Sequence, residues 1–345
     1  MTSSIRTRPP VSTTEAAGDR LLPGRPDEAL ATVSFVVIAY NEAPNIERCL
    51  RSVLSQRGAR VVEAVVVDDA SSDETPDIVA RVATEDRRVQ LVRLNANMGR
   101  GNARATGVGA ATGDLIAMVD SDIVLPSDWL ERCLASLPGH QAAGGTAVPD
   151  GDVAYVYRAF GLSPRGRRST MTLTGNNALF RREVFGTVGF DRSLSEGEDI
   201  ALNHDMERAG LRAALVPGLT VAHCESKSFA QSLRWLYQSG QGGARQLERY
   251  RQVRLPDIAF AGLLASFVAG SGLAFGRRGA RRTFLVGALP ASWLLAVASG
   301  HMLACFRLSR KGAGRFVLAT LVDALMVGSY SAGRFTGHFL RRLGA

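Results

Sequence analysis

Asp120 and Asp122 close the stretch Leu115-Ile116-Ala117-Met118-Val119-Asp120-Ser121-Asp122, two carboxylates with one residue between them. Oxygen ligands at that spacing suit a hard divalent cation, which can in turn hold phosphate oxygens. A second acidic pair, Asp68-Asp69, follows the apolar run Val61–Val67, and Glu198-Asp199 follows Ser195-Glu196-Gly197. Any one of these acids reads most simply as a loop carboxylate or helix cap. The recurrence of Asp68, Asp69, Asp120 and Asp122 at strand ends points to a site, because acids gathered on one rim repel unless a cation or hydrogen-bond donors offset them. Neither a Walker lysine loop nor a GxGxxG turn opens the first helix. Phosphate charge therefore falls to the cation and to Arg100 or Arg104.

The elements that must carry these groups alternate regularly. Val33–Ala39 reads as a buried strand ending in Tyr40-Asn41-Glu42. Pro44 then starts a helix whose Ile46, Leu50, Val53 and Leu54 share one face. Val61–Val67 is the second strand, and Asp73 can cap a helix carrying Ile78, Val79 and Val82. Val89–Leu94 is the third, and Asn97-Met98-Gly99-Arg100-Gly101 turns into a helix around Ala103–Ala111. The five apolar residues Leu115–Val119, entered from Thr112-Gly113-Asp114, form a strand buried on both faces. Strands alternating with helices at this spacing predict right-handed βαβ units, an α/β fold with an open, mostly parallel sheet and helices on both faces. In such sheets the ligand crevice lies outside the carboxyl ends of the strands, where Asp68, Asp69, Asp120 and Asp122 would stand.

Composition bounds the partners. The 345 residues allow one large α/β domain and an appendage, and the net charge of +9 suggests an anionic partner, a membrane surface or a phosphorylated ligand. No aromatic-and-basic cluster of the single-strand-reading kind is present, so no nucleic acid is expected. Cys49, Cys133, Cys224 and Cys305 show no CxxC spacing, which argues against a disulfide framework and a zinc site and fits a reducing compartment. No basic-then-apolar leader opens the chain. Residues 1–31, rich in Pro, Ser, Thr and Arg, are expected to be a disordered tail.

From about Val33 to Arg251 the chain resembles a family 2 glycosyltransferase of the GT-A fold. The resemblance is carried by Tyr40-Asn41-Glu42, Val67–Asp73, Asn97-x-Gly99 with Ala103-Arg104, Asp120-x-Asp122, Gly197-Glu198-Asp199 and Gln231-x-x-Arg234-Trp235 in this order. It implies an enzyme in which Tyr40 and Glu42 flank the nucleoside, Asp68 or Asp69 touches the base, and Ser121 and Arg104 belong to the nucleotide-sugar site. It further implies that Asp120 and Asp122 hold Mg²⁺ or Mn²⁺ on the diphosphate, with His223 as a further metal or diphosphate contact. Asp199 would be the base that takes the acceptor hydroxyl's proton in an inverting, in-line transfer, with Glu198 orienting the acceptor. An acidic first helical turn is also favoured by the helix dipole alone. Leu173–Arg182, including Asn176 and Asn177, resembles the acceptor-facing segment, and Gln231, Arg234 and Trp235 resemble a lid at the acceptor and diphosphate end. Ile38 replaces a usual proline and Ala105 a common asparagine, which bears on donor selectivity. Family frequency favours a UDP-sugar over a GDP-sugar.

Composition changes again after the basic stretch Arg245–Arg254, setting a catalytic domain at 32–254 and a membrane-associated helical region at 255–345. Ile258–Gly276 runs 19 residues without a charge and Thr283–Phe306 runs 24, lengths that cross a hydrocarbon core of ~30 Å as helices. Phe316–Gly333 is interrupted by Asp323. Every connection between these runs is basic, so the positive-inside rule assigns no topology and basic flanks on anionic headgroups are the alternative. The expectation is an enzyme at the cell membrane, its catalytic domain cytoplasmic, acting on a lipid-linked or envelope-glycan acceptor and similar to membrane-anchored exopolysaccharide enzymes of the succinoglycan type. The alternatives are a polyprenyl-phosphate sugar transferase, whose phosphate acceptor needs no base, and a non-catalytic nucleotide-sugar-binding scaffold.

Overall fold

A computed structural model describes residues 31–149, 173, 175–224, 229–250, 255–275, 279, 286–298 and 316–338. Residues 1–30 of the expected tail, Thr174 of the expected acceptor segment and Arg251–Arg254 lie outside the described residues.

Apolar, β-branched runs build the sheet. Its strands are β1 (Thr32–Ala39), β2 (Arg60–Asp68), β3 (Val89–Arg93), β4 (Leu115–Asp120), β5 (Ile123–Val124), β6 (Ala142–Pro149), β7 (Asn177–Arg181) and β8 (Ala213–His223). They form one sheet in the order β3-β2-β1-β4-β7-β6-β8-β5. β1 pairs in parallel with both β2 and β4, and β2 with β3, while β7 runs antiparallel to β4 and β6. β6 and β8 are parallel, and the short β5 pairs antiparallel with β8. The mostly parallel sheet read from the sequence holds in four of these seven pairings, and the antiparallel ones involve β7 and β5. The antiparallel β7 was not legible as a strand because its Asn177-Ala178-Leu179-Phe180-Arg181 has no alternation to distinguish it from a loop.

Strand order places the site. The chain steps outward from β1 to β2 and β3, then returns to the other side of β1 with β4, so the crossovers diverge between β1 and β4. Such a switch point opens a crevice at the strands' carboxyl ends. Register puts Asp68 beside Ala39 on one flank of β1 and Asp120 beside Ile38 on the other.

The helices are α1 (Ile46–Leu54), α2 (Thr75–Glu85), α3 (Arg100–Ala110), α4 (Trp129–Ala135), α5 (Val184–Thr187), α6 (Glu198–Arg208), α7 (Phe229–Tyr250), α8 (Leu255–Ala274), α9 (286–298) and α10 (Phe316–His338). Side chains alternate across β1: Phe35 and Val37 face a core with Ile46, Leu50 and Trp129, while Val36 faces one with Ile116, Met118, Phe180 and Leu202. Both sheet faces are thus covered, which is why these strands read as unbroken apolar runs.

The C-terminal expectation changes. The apolar runs fold in part as α8, α9 and α10, yet among the described residues no helix is long and apolar enough to cross a membrane. Asp323 and Arg334 interrupt α10. α10 packs along α7 through small residues: a methyl on Gly333 would lie 1.9 Å from the Tyr237 carbonyl oxygen, and one on Gly240 2.1 Å from that of Tyr330. Ser329 Oγ donates to the Leu233 carbonyl at 2.7 Å.

Candidate active site

A cavity of about 580 Å³ opens at the switch point. Its wall includes Ile38–Glu42 and Pro44 after β1, Asp69, the 97–100 turn and Asp120-Ser121-Asp122 after β4. It is completed by Ser195 and Glu196 before α6 and by Gln231, Arg234, Trp235 and Gln238 of α7. That size suits a nucleotide-scale ligand.

The β1 loop is shaped by its polar side chains. Asn41 adopts φ 55°, and its Oδ1 accepts the Ser72 N–H at 2.8 Å while its own N–H reaches Ser71 Oγ. Asn45 Nδ2 donates to Glu42 Oε2 at 2.8 Å. Tyr40 stands half exposed at the cavity.

The two aspartates after β2 part company. Asp68 is fully buried and off the cavity wall, its oxygens accepting the Ser71 N–H and facing Arg93 Nε at 3.3 Å. It builds the loop, and base contact by Asp68 is accordingly set aside. Asp69 does line the cavity, and its two oxygens accept the Met98 and Gly99 N–H groups at 2.7 and 2.8 Å.

Asp120, Ser121 and Asp122 all line the cavity. Asp122 Oδ2 meets His223 Nε2 at 3.0 Å, because β5 and β8 are laddered there and the Cys224 N–H donates to the Asp122 carbonyl. Among the described residues no three His, Cys, Asp or Glu side chains are arranged to hold a metal ion by themselves, since Asp120 turns its Oδ1 to Arg104. By donor type, two carboxylates and an imidazole still fit Mg²⁺ or Mn²⁺, provided diphosphate oxygens complete the set.

Arg104 is the largest departure from the expected roles. A phosphate contact would need it in the cavity, but the guanidinium is buried and bonded to Asp120, Glu198 and the Gly175 carbonyl. Burial alone would lower its pKa; Asp120 and Glu198 outweigh that and hold it above the ordinary value. Arg100, on the wall together with Arg234, stands 3.3 Å from Glu196.

On the acceptor side, Gly197 takes φ 77° and starts α6, so that Glu198 and Asp199 form its first turn. Glu198 is buried, its pKa raised by burial despite Arg104, and its Oε2 has no hydrogen-bond partner among the described residues. Asp199 accepts the Ile200 N–H at 2.8 Å and the Gly175 N–H at 3.2 Å. Neither lines the cavity; Glu196, which sequence reasoning passed over, does. Its only signal was a third acid beside Glu198-Asp199. Asn177 is also buried, its Oδ1 accepting the Gly145 N–H, and its Nδ2 donates to Asn176 Oδ1. Asn177 therefore braces β6 against β7 and faces no acceptor.

This architecture, a nucleotide-sized cavity at the β1/β4 switch point with strand-end aspartates, is an α/β fold of the GT-A type. The family model "Glycosyl transferase family 2" matches residues 34–189. An N-acetylglucosaminyltransferase of Bradyrhizobium sp. is 34% identical over 114 residues, covering 32% of this chain and 73% of that protein. The chain belongs to glycosyl transferase family 2. The Succinoglycan biosynthesis protein ExoO of Rhizobium meliloti is 38% identical over 226 residues, 59% of this chain, and the match spans 63% of that protein's length. Among solved structures, the mannosyltransferase PcManGT from Pyrobaculum calidifontis, in complex with GDP-Man and Mn²⁺, matches with a TM-score of 0.54 at 21% identity, covering 90% of this chain and 88% of that one. GalNAc-T7 with UDP, GalNAc and Mn²⁺ matches at a TM-score of 0.52 and 16% identity, covering 72% of this chain and 52% of that one.

Proposed function

We propose that this chain transfers a sugar from a nucleotide-sugar to a hydroxyl of a lipid-linked or exopolysaccharide acceptor, with inversion and with a divalent cation. The observation that carries the reading is the single cavity shared by Tyr40, Asp69, Asp120, Asp122 and the α7 side chains Gln231, Arg234 and Trp235. In it, Tyr40 and Glu42 flank the nucleoside and Asp69 orders the 97–100 turn beside it. Arg100, Arg234 and Gln231 face the diphosphate, and Asp120, Asp122 and His223 would hold Mg²⁺ or Mn²⁺. The cation supplies charge stabilisation for the departing nucleoside diphosphate. Asp199 receives the acceptor's proton, and Glu198 orients the acceptor or Asp199 itself. The Mn²⁺ complexes of PcManGT and GalNAc-T7 and the name of the ExoO relative support this assignment. UDP is the preferred nucleotide.

The enzyme acts at the inner face of the cell membrane. Most of the exposed large apolar side chains among the described residues lie on or just after α8, α9 and α10, among them Ile258, Phe267, Val268, Phe275 and Leu325. With basic segments between them, these helices suit an interfacial seat.

Incubating the purified chain and membranes with a panel of nucleotide-sugars and Mn²⁺, following label into lipid extract and polymer, tests the reading. Label in neither fraction with any donor overturns it. The absence of Asp199 from the cavity wall favours a second reading, transfer to a polyprenyl phosphate, which needs no base. Asp199→Asn then leaves turnover nearly unchanged, whereas hydroxyl transfer falls about 100-fold or more.

A further inference from the structure

Arg104 projects from α3 with 2% of its side chain exposed, and three other parts of the chain converge on its guanidinium. Nη2 donates to Asp120 Oδ1 at 2.6 Å, Nε donates to Glu198 Oε1 at 2.9 Å, and Nη1 donates to the Gly175 carbonyl. The Phe190 ring lies against it, 5.8 Å from Cζ to centroid. The same Gly175 that accepts from Arg104 donates its N–H to Asp199 Oδ2. One side chain and one peptide residue therefore connect Asp120, at the end of β4, with Asp199, in the first turn of α6. Position 175 has no room for a larger residue in this arrangement. A methyl there would lie 2.9 Å from Arg104 Cζ and 3.1 Å from Asp199 Cβ.

Building on the transfer reaction proposed above, we infer that Arg104 is a positioning residue, which holds the metal-side carboxylate Asp120 and the acceptor-side carboxylate Asp199 in a fixed relation through the Gly175 peptide. A planar fork with several donors can serve three acceptors at once; a lysine ammonium keeps the charge but not that geometry. Neither Arg104 nor Gly175 lines the cavity, so their effect passes through the acids they hold.

The test compares the full chain with R104K, G175A and R104K/G175A. It measures kcat and donor KM, Mn²⁺ affinity in the presence of the nucleoside diphosphate by electron paramagnetic resonance, and thermal midpoint. Each single variant is expected to lose about 10- to 100-fold in kcat, the range for removing a group that orients a ligand. Donor KM stays within about threefold, because nucleotide contacts are untouched. Mn²⁺ affinity falls in R104K and also in G175A, whose methyl would lie 3.0 Å from Arg104 Nη2, the nitrogen that holds Asp120. The double variant is no slower than the slower single one, since both break one relay. Losses that multiply in the double variant, kcat within about twofold of wild type in both singles, or a kcat loss that tracks the unfolded fraction overturns the inference. Should the wild type move no sugar at all, the transfer reading fails instead, and an Mn²⁺ affinity unchanged in R104K then overturns the Asp120 half of this one.

Discussion

Asp122 and His223 stand 101 residues apart in the chain and 3.0 Å apart in the fold. The β5–β8 ladder makes that meeting, pairing Ile123 with His223 and the Cys224 N–H with the Asp122 carbonyl. A backbone ladder holds the two donors whatever the state of the ligand. His223→Ala should therefore weaken Mn²⁺ binding in the presence of nucleoside diphosphate by about tenfold or more. The thermal midpoint should hardly move, since the imidazole is partly exposed and carries no core packing. Titration of Mn²⁺ by calorimetry checks the first half of the statement, and a thermal melt of the same variant the second.

Asp69 and Gly99 form a comparable lock on the other wall. Both carboxylate oxygens are used by backbone N–H groups, so Asp69→Asn sets an amide NH₂ against an N–H and leaves one donor unsatisfied, at about 1–3 kcal/mol. Gly99 adopts φ 83°, and a methyl there would lie 2.7 Å from Ser195 Cα. Gly99→Ala should cost at least about 1–3 kcal/mol in urea unfolding, through positive-φ strain and that clash together.

What the sequence shows of this site follows from the range of the interactions. Asp120 and Asp122 are legible because a local signal, an apolar run meeting acids, coincides with the general rule for strand ends. Glu196 and Arg104 are not. Arg104 finds partners 16, 71 and 94 residues away, and nothing local separates a buried guanidinium from a surface one on a helix. Asp68 and Asp69 look equivalent in the chain, yet strand period 2 turns one inward and the next toward the cavity. The C-terminal runs are legible as apolar. Whether such a run spans, packs or lies on a surface depends on partners: α10 buries its glycines against α7, and periodicity cannot announce that.

Glu196 makes stability depend on pH. Burial is the main cause of its rise to about 7; Arg100 opposes it, and Glu198, Asp199 and Asp120 add to it. The ordinary glutamate value is 4.5, so between about pH 4.5 and 7 the folded state holds more protons than the unfolded one. The stabilisation is fully present below that window and is lost as pH rises through it. Glu196→Gln should flatten the decline in unfolding free energy between pH 5 and 7.5, as measured by urea titration at each pH. An unchanged slope would assign the dependence to other groups.

α7 and α10 touch backbone to backbone, so the contact has no slack. Gly333→Ala places a methyl 1.9 Å from the Tyr237 carbonyl oxygen and forces the helices apart, losing the Ser329–Leu233 bond. Overpacking of this kind costs about 1–3 kcal/mol. Gly328→Ala on the same helix has its nearest neighbour at 4.0 Å, the Leu294 side chain, and should be neutral or mildly stabilising through helix propensity. Paired thermal melts separate the two. Because α7 also carries Gln231, Arg234 and Trp235, Gly333→Ala should raise donor KM as well, while Gly328→Ala leaves it alone.

Phe275, with 90% of its surface exposed, joins Phe267 and Leu325 among the apolar side chains that α8–α10 leave uncovered. Exposed in the free protein, they contribute little to its stability, so replacing all three with serine should leave the melting temperature close to that of the wild type. Seated in a lipid interface, each would contribute about 1.5–3 kcal/mol of transfer free energy. The triple variant should therefore lose more than about 100-fold in partition onto vesicles containing phosphatidylglycerol. Wild-type binding should weaken as salt rises, because basic segments between the helices meet the anionic headgroups over a Debye length of about 10 Å at 0.1 M. Vesicle flotation across a salt series distinguishes the cases. Wild-type binding that the three serines do not reduce would mean that charge alone seats the protein, and no binding at all would remove the membrane from its function.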